Sequence, residues 1–216
     1  KTAKASSKLS DPIELKDTEI HEDSYITPHQ KDPFEIELSE KIEYLIDVNK
    51  RLNIDDAIKV RNSNYTSWKT KKMFASTEGA RIEQEIIRTG GGIRVNASSG
   101  DDSQRRSYPY GYDFGTGGYE FFENLNLLEN AEETSQECVD LLDADQCPEG
   151  KMDIILNTNQ LALHIHETCG HPTELDRVLG TEASFAGTSF LTPDKLDDFS
   201  YGSERVNLVS DGTVKG

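Results

Sequence analysis

The chain has 216 residues, of which 34% are hydrophobic and 29% are charged, a composition typical of a globular protein with one or two domains. No apolar run approaches the roughly 20 residues of a membrane span, and the polar N-terminus lacks the apolar centre of a secretory signal. We therefore expect no membrane as a partner. The formal net charge of −17 opposes contact with phosphate backbones, so we expect no nucleic acid as a partner either. The three cysteines form no CxxC pair, which favours a reducing cytoplasm.

The first predicted elements are a connector and a helix. Residues 1–34 are polar and are interrupted by prolines, which favours an extended connector, with a disordered tail as the alternative. Residues 39–52 favour a helix that Ser39 could cap. Its apolar side is formed by Ile42, Leu45, Ile46 and Leu52.

After this helix the pattern changes to β-branched and aromatic residues separated by Asn, Gly and Ser. Four segments carry the pattern: AIKVRNS, YTSWKTKKMFAST, ARIEQEIIRTG and GIRVNASSG. The pair Glu78–Gly79 is typical of a tight turn between two strands. We therefore predict an antiparallel meander of about four strands, polar on one face and packed against helices on the other.

The segment YPYGYDFGTGGYEFF, residues 108–122, is rich in glycine and aromatic residues. It lacks the GK[ST] ending and the preceding apolar strand of a phosphate-binding loop, so we predict an aromatic-anchored loop. Residues 121–143 then repeat apolar or small side chains at steps of three and four, which predicts a helix. The breaker CPEG at 147–150 indicates a domain boundary, and KMDIILNT after it favours a strand.

Three of the five histidines fall within LALHIHETCGHPTELD, residues 161–176. His166 and His171 could bind a zinc ion, and Glu167 could take a proton from the water that such an ion activates. In the familiar HExxH helix of zinc proteases the histidines are four residues apart, whereas here they are five apart. Five steps of ~100° leave these two side chains about 140° apart on a regular helix, so a shared metal requires a distortion.

Two residues could provide that distortion. Gly170 permits unusual backbone angles, and Pro172 disfavours the α region for His171 before it. We therefore predict a helix over roughly residues 160–170 that follows the strand KMDIILNT and becomes irregular at Gly170–His171.

An unbroken helix would give a different metal pair. On such a helix His164, Glu167 and His171 share one face, so that His164 and His171 become the candidate ligands. If the helix is distorted instead, His164 only packs beside the site. Spacing alone leaves both geometries open.

The segment HETCGHPTELDRVLGTEASFAGTSFL resembles the TldD/PmbA (modulator of DNA gyrase) metalloprotease family, especially its TldD side. Further similar stretches are HEDSYITP, FASTEGARIEQ, GTGGYEFFE, CPEGKMDIIL and VNLVSDGTVKG. The resemblance implies a cytoplasmic, dimeric zinc peptidase that degrades or trims flexible peptides. It also implies that His166 and His171 bind Zn²⁺ and that Glu167 is the catalytic base.

The same resemblance predicts the domain organisation of an α+β protein. Residues 1–34 would be the connector at the end of an N-terminal region, 35–147 the central domain with the meander, and 148–216 the beginning of a β-rich metalloprotease domain that carries the HExxxH helix. The chain starts without a methionine and ends in a strand-like run, so we expect a middle portion of a longer protein.

The resemblance also implies a third zinc ligand that this chain lacks. In the family that ligand is a cysteine far along the C-terminal domain, and no cysteine follows Cys169 here. Cys169 lies between the two histidines and is not that residue. Glu174 and Asp176 are possible local replacements, but a surface contact or a salt bridge with Arg177 is the favoured role. We expect this portion to be inactive alone.

The leading hypothesis is therefore a zinc peptidase that acts on peptides or unfolded proteins and forms a homodimer or a heterodimer with a family member. A catalytically inactive dimer partner or a peptide-binding subunit is the alternative from another class. The presence of His166, Glu167 and His171 together speaks against it. A third hypothesis is an acidic interaction module with an incidental histidine cluster.

Overall fold

A computed structural model of the chain describes residue 17 and residues 19–211. The chain divides into two compact units, Lys1–Asp143 and Ala144–Gly216. Half of the connector predicted for residues 1–34, and the last five residues of the closing run, lie outside the described residues. In the described part of the chain, no helix combines the length and the apolar character needed to cross a membrane.

The first unit is built on one sheet of four strands: β1 (Glu22–Ile26), β2 (Ile58–Ala75), β3 (Arg81–Ser99) and β4 (Asp102–Thr116). The central strand β3 pairs antiparallel with β2 along its whole length and with β4 on its other edge. The short strand β1 pairs parallel with the beginning of β3, beside β4. The predicted antiparallel meander is therefore present, with a parallel strand added.

The strand boundaries differ from the prediction. The four predicted segments merge into the two long strands β2 and β3, because Ser and Asn within β2 face a continuous hydrogen-bonded partner and do not interrupt it. The turn at Glu78–Gly79 is confirmed, and Gly79 takes the positive φ of 112° that this turn requires. The loop predicted over residues 108–122 is wrong, since residues up to Thr116 belong to β4.

The described end of the connector is also more structured than predicted. Its residues 22–26 form β1, and Thr27 after them is buried. The Thr27 backbone N–H donates to the Glu85 carbonyl at 2.9 Å, and the Ile87 N–H donates to the Thr27 hydroxyl at 3.1 Å. This segment is therefore tied to the central strand.

Three helices cover one face of the sheet: α1 (Leu38–Arg51), α2 (Tyr119–Glu123) and α3 (Leu127–Asp140). The core forms between these helices and β3, as predicted for the apolar face. Its fully buried side chains include Val48, Leu52, Ile93, Val95, Leu127, Ala131 and Cys138. The α+β fold class predicted from the sequence is confirmed.

Two details of the helices correct the predictions. The first helix begins after Glu37 and has no side-chain cap, so Ser39 is not its N-cap but lies in the first turn. The single helix predicted over residues 121–143 is interrupted at Asn126, whose φ of 51° is incompatible with a continuing helix.

The second unit contains short helical elements. They are α4 (Thr158–Ile165), a π-helical turn (His166–Gly170), a 3₁₀ turn (His171–Thr173), α5 (Leu175–Val178) and a second 3₁₀ turn (Pro193–Lys195). The strand predicted over 151–158 is wrong. No other described segment of this unit pairs with those residues, and a strand needs a neighbour to bond its backbone groups.

Candidate metal centre

The candidate metal-binding motif begins on a capped helix. The Asn157 side chain accepts a hydrogen bond from the Asn159 backbone N–H at 3.1 Å, which starts α4 in the manner favoured for asparagine. The helix is regular through Ile165 and then widens. The His171 N–H donates to the carbonyl of His166, five residues before it, in place of the usual partner four residues before.

The wider turn solves the spacing problem of the motif. Because one hydrogen bond joins the backbones of His166 and His171, the second residue lies directly one turn beyond the first. Their imidazole rings are 4.4 Å apart between centroids, at an angle of 78°. A pair that would point about 140° apart on a regular helix is therefore brought onto one side.

Glu167 lies beside the two histidines. Its Oε1 is 4.0 Å from Nε2 of His166, and its Oε2 is 3.8 Å from Nε2 of His171. One ligand atom from each of the three residues lies within 4.8 Å of the others. Two atoms bound to one zinc ion are at most about 4.2 Å apart, so this donor set fits a divalent metal ion with a small closing movement.

The distortion arises in a way the sequence did not predict. The prediction placed it at Gly170–His171, but the widened turn already begins at His166. Gly170 has φ −59° and ψ −64°, and His171 has φ −59° and ψ −43°, so both remain in the right-handed helical region. The special freedom of glycine is not used, and Pro172 does not move His171 out of that region.

The role of Pro172 is instead to end the helical hydrogen bonding, because it has no N–H to donate. Other groups then bind the carbonyls of the turn. The Thr168 carbonyl accepts from the Tyr201 hydroxyl. The Thr173 hydroxyl lies 2.8 Å from the carbonyl oxygen of Cys169 and 2.9 Å from that of Gly170. The C-terminal part of the irregular turn is therefore held by two side chains, those of Tyr201 and Thr173.

Two residues of the motif lie outside the cluster formed by the described side chains. His164 is exposed on α4, before the turn widens, and is not part of the group of three. Cys169 points elsewhere: it helps to line a mostly apolar cavity of about 580 Å³, together with Leu175, Phe199 and Tyr201. Cys169 therefore lies outside the group formed by His166, Glu167 and His171.

Glu174 makes a contact that the sequence did not predict. Its Oε2 is 2.7 Å from Nε of Arg177, which confirms the expected salt bridge, but its Oε1 is also 2.7 Å from Nδ1 of His171. The sequence signal for the contact with His171 is the spacing of three residues between His171 and Glu174, which brings two side chains together on a helical segment. The Asp176 carboxylate accepts a hydrogen bond from the Arg177 backbone N–H at 2.9 Å, and the Asp176 backbone carbonyl accepts from the N–H and the hydroxyl of Thr181.

The chain is similar to known metalloproteases. Residues 31–142 match the model of the PmbA/TldA metallopeptidase central domain. The whole chain is 34% identical over 219 residues to Metalloprotease MJ0996 of Methanocaldococcus jannaschii, covering 45% of that protein. It is 27% identical over 194 residues to a metalloprotease of Methanothermobacter thermautotrophicus, with 90% of the chain covering 40% of that relative. The chain thus spans less than half the length of these relatives.

Proposed function

Because the chain belongs to the PmbA/TldA metallopeptidase family, we propose that the full-length protein is a peptidase whose metal centre includes His166 and His171. The observation that carries the proposal is the widened turn, which brings both imidazoles and the Glu167 carboxylate within 4.8 Å of one another. Relatives that match between 86% and 100% of the chain are named metalloproteases, so a metal ion is the cofactor that fits. We propose zinc, since two neutral imidazoles suit it.

The residues of the turn have separate tasks. A zinc ion held by the two imidazoles would supply Lewis acidity, which polarises a substrate carbonyl and lowers the pKa of a water ligand. Glu167 acts as general base: its carboxylate stands next to both rings and is 58% exposed, so that it can reach an attacking water. The same carboxyl group then delivers the proton to the leaving amine.

The third ligand belongs to another part of the protein under this proposal. The family resemblance assigns it to a downstream cysteine, and this chain has none after Cys169. The relatives are more than twice as long as the chain, which leaves room for that residue. We expect the isolated 216-residue chain to be inactive.

The same proposal includes the domain organisation, the assembly and the compartment. The separation into two compact units after Asp143 supports a domain boundary close to residue 147, between the central domain and the beginning of the catalytic domain.

We propose a homodimer or a heterodimer with a family member. The edge of β2, which pairs on one side only among the described strands, supports such a contact. The three free cysteines support a cytoplasmic location.

Glu167→Gln in the full-length protein tests this function. The amide keeps the size of the side chain but cannot accept the proton, so we expect hydrolysis of an unstructured peptide to fall by roughly 10²–10⁴-fold while the metal remains bound. Chelation of the metal should abolish the wild-type activity, and added zinc should restore it. Glu204→Gln, at an exposed acid elsewhere in the second unit, is the matched control and should retain the full rate.

Two outcomes would contradict the proposal. If wild-type protein with a full metal complement hydrolyses no flexible peptide, the inactive dimer partner or peptide-binding subunit becomes the better assignment. If Glu167→Gln retains the wild-type rate, the protein is a peptidase but Glu167 is not its base.

A further inference from the structure

We propose that Glu174 is a positioning residue of the metal centre, which fixes the tautomer and the orientation of His171. This inference rests on the proposed function, since it concerns the way in which one of the metal-binding histidines is prepared. It is based on the contacts of the His171 ring, of the Glu174 carboxylate and of the Arg177 guanidinium.

The two nitrogens of His171 have different surroundings. Nδ1 is 2.7 Å from Oε1 of Glu174, whereas Nε2 points to the cluster and is 3.8 Å from Oε2 of Glu167. An ionised carboxylate can only accept a hydrogen bond, so Nδ1 must carry the proton in this contact. In the neutral ring Nε2 then has the free lone pair, which is the form that binds a metal.

Glu174 is itself held in place on its other side. Its Oε2 is 2.7 Å from Nε of Arg177, one turn further along at the start of α5. The Arg177 carbonyl accepts from the Ser189 N–H at 3.1 Å, and the Ser189 hydroxyl donates to the Pro172 carbonyl at 2.6 Å. Ser189 therefore links the segment that contains His171 to the helix that contains Arg177, so the carboxylate between them has little freedom to turn away.

Among the described residues, His166 has no carboxylate contact equivalent to that between His171 and Glu174. Among the described residues, the nearest carboxylate to His166 is that of Glu167, which is 4.0 Å from Nε2, and no carboxylate contacts its Nδ1. The His166 side chain is 60% exposed, against 29% for His171. Of the two candidate ligands, His171 is thus the less exposed one and the one whose Nδ1 contacts a carboxylate, that of Glu174.

Direct metal binding by Glu174 is the competing role. Both of its oxygens already have close partners, one on His171 and one on Arg177. A metal ion would have to replace one of these contacts, and in the first case it would release the ring that it needs as a ligand. Glu174 is also not part of the group of three whose ligand atoms converge. The contacts therefore favour a role in which Glu174 positions His171 and does not bind the metal itself.

Glu174→Gln in the full-length protein tests the proposal. The amide has the same size but no charge, and it can turn its NH₂ group toward Nδ1 and favour the wrong tautomer. We expect the dissociation constant for Zn²⁺, measured by competition with a chelator, to rise about 10–100-fold. The visible spectrum of the Co²⁺-loaded variant at saturation should also differ from that of the wild type, because the ring orientation changes.

Asp176→Asn is the matched control, since it removes one negative charge two residues away without a contact to His171. It should leave both the affinity and the spectrum unchanged. Arg177→Gln is the second variant: it leaves Glu174 in place but frees it, so a smaller loss of affinity in the same direction is expected. Circular dichroism of the metal-free proteins checks that each variant folds, and Arg177→Gln decides the question if Glu174→Gln does not.

The outcomes separate this inference from the proposed function. Wild-type affinity and spectrum in Glu174→Gln, or in Arg177→Gln if only that variant folds, would overturn the inference, whereas loss of metal in His166→Ala and His171→Ala would still support the function. A loss in Glu174→Gln as complete as that in His171→Ala would identify Glu174 as a ligand and would also overturn the positioning role. If His166→Ala and His171→Ala both retain the metal, the proposed function itself fails.

Discussion

His166 and His171 are separated by the number of residues that a regular helix turns into nearly opposite directions. The backbone corrects this with one hydrogen bond, from the N–H of His171 to the carbonyl of His166. Single π turns of this kind are rare in proteins as a whole, but those that occur often lie at functional sites. At the scale of single residues, the proposed metal centre therefore depends on the hydrogen-bond pattern of the turn more than on unusual backbone angles.

Gly170→Ala tests this view of the turn. Gly170 has a negative φ, and an added Cβ would meet only the Ile165 carbonyl oxygen at 4.0 Å. Alanine also loses less conformational freedom on folding, so we expect unchanged metal content and a stability equal to or up to about 1 kcal/mol above that of the wild type. Thermal unfolding and metal analysis of the full-length protein measure both.

Gly180→Ala is the control for that substitution. Gly180 has a φ of +73°, so the same change there should destabilise the protein by about 1 kcal/mol or more. If Gly170→Ala instead removes the metal, the turn needs the conformational freedom of glycine, and the hydrogen bond from His171 to His166 is not sufficient to form the site.

At the scale of elements, the three consecutive glycines of β3 allow the sheet and the helices to meet. A Cβ on Gly90 would lie 2.1 Å from the Asp113 carbonyl oxygen, and one on Gly91 would lie 2.0 Å from the Asn64 carbonyl oxygen. The register between β3 and β4 shifts at the same place. Phe122 of α2 packs over this segment, 3.0 Å from the position of a Cβ on Gly91. The strand thus continues through the glycines in close contact with both neighbouring strands.

Gly91→Ala should therefore destabilise the first unit. The clash is with backbone on one side and with a buried ring on the other, so neither neighbour can easily move, and overpacking of this kind costs about 1–3 kcal/mol. We expect the thermal transition of the first unit in the full-length protein to fall by several degrees. Gly202→Ala, which adds a Cβ into open space, should leave the transitions in place. An unchanged transition in Gly91→Ala would show that β3 bends differently here.

The sequence predicted which helices and strands are present better than it predicted the residues at which they begin and end. The long helix α1, the turn at Gly79 and the buried face of the meander follow from periodicity and turn chemistry, which are local properties. The continuity of β2 and β3 could not be read from the sequence, because Ser, Asn and Gly interrupt a strand only where no partner strand holds them. The predicted strand at residues 151–158 failed for the same reason, since strand formation depends on a neighbour elsewhere in the chain.

For the candidate metal centre, too, the sequence predicted one part of the geometry and not the rest. The spacing of His166 and His171 was sufficient to infer that a shared metal requires a distortion. It could not reveal which hydrogen bond provides the distortion. It also could not reveal that Glu174 contacts the far nitrogen of His171, because that contact depends on the direction of the chain after Pro172.

At the scale of the whole molecule, the chain joins two units with different contributions. The first unit contains the whole segment that matches the family's central domain, with a helix-covered sheet and a continuous core. The second contains the histidine cluster on short helical turns, with large apolar side chains exposed, such as Ile155 and Phe185. Such exposed apolar side chains are typical of surfaces that other parts of a longer protein cover. The proposed metal binding and catalysis are therefore to be measured on the full-length protein.

The metal content of full-length His164→Ala, His166→Ala and His171→Ala, determined in parallel with the wild type, tests the widened-turn site most directly. If the widened turn forms the site, His166→Ala and His171→Ala lose the metal, because each removes a nitrogen that faces Glu167. His164→Ala retains it, because this side chain lies outside the cluster. Loss of the metal in His164→Ala together with full metal in His166→Ala would show that the unbroken-helix pair binds it, and would contradict the central claim.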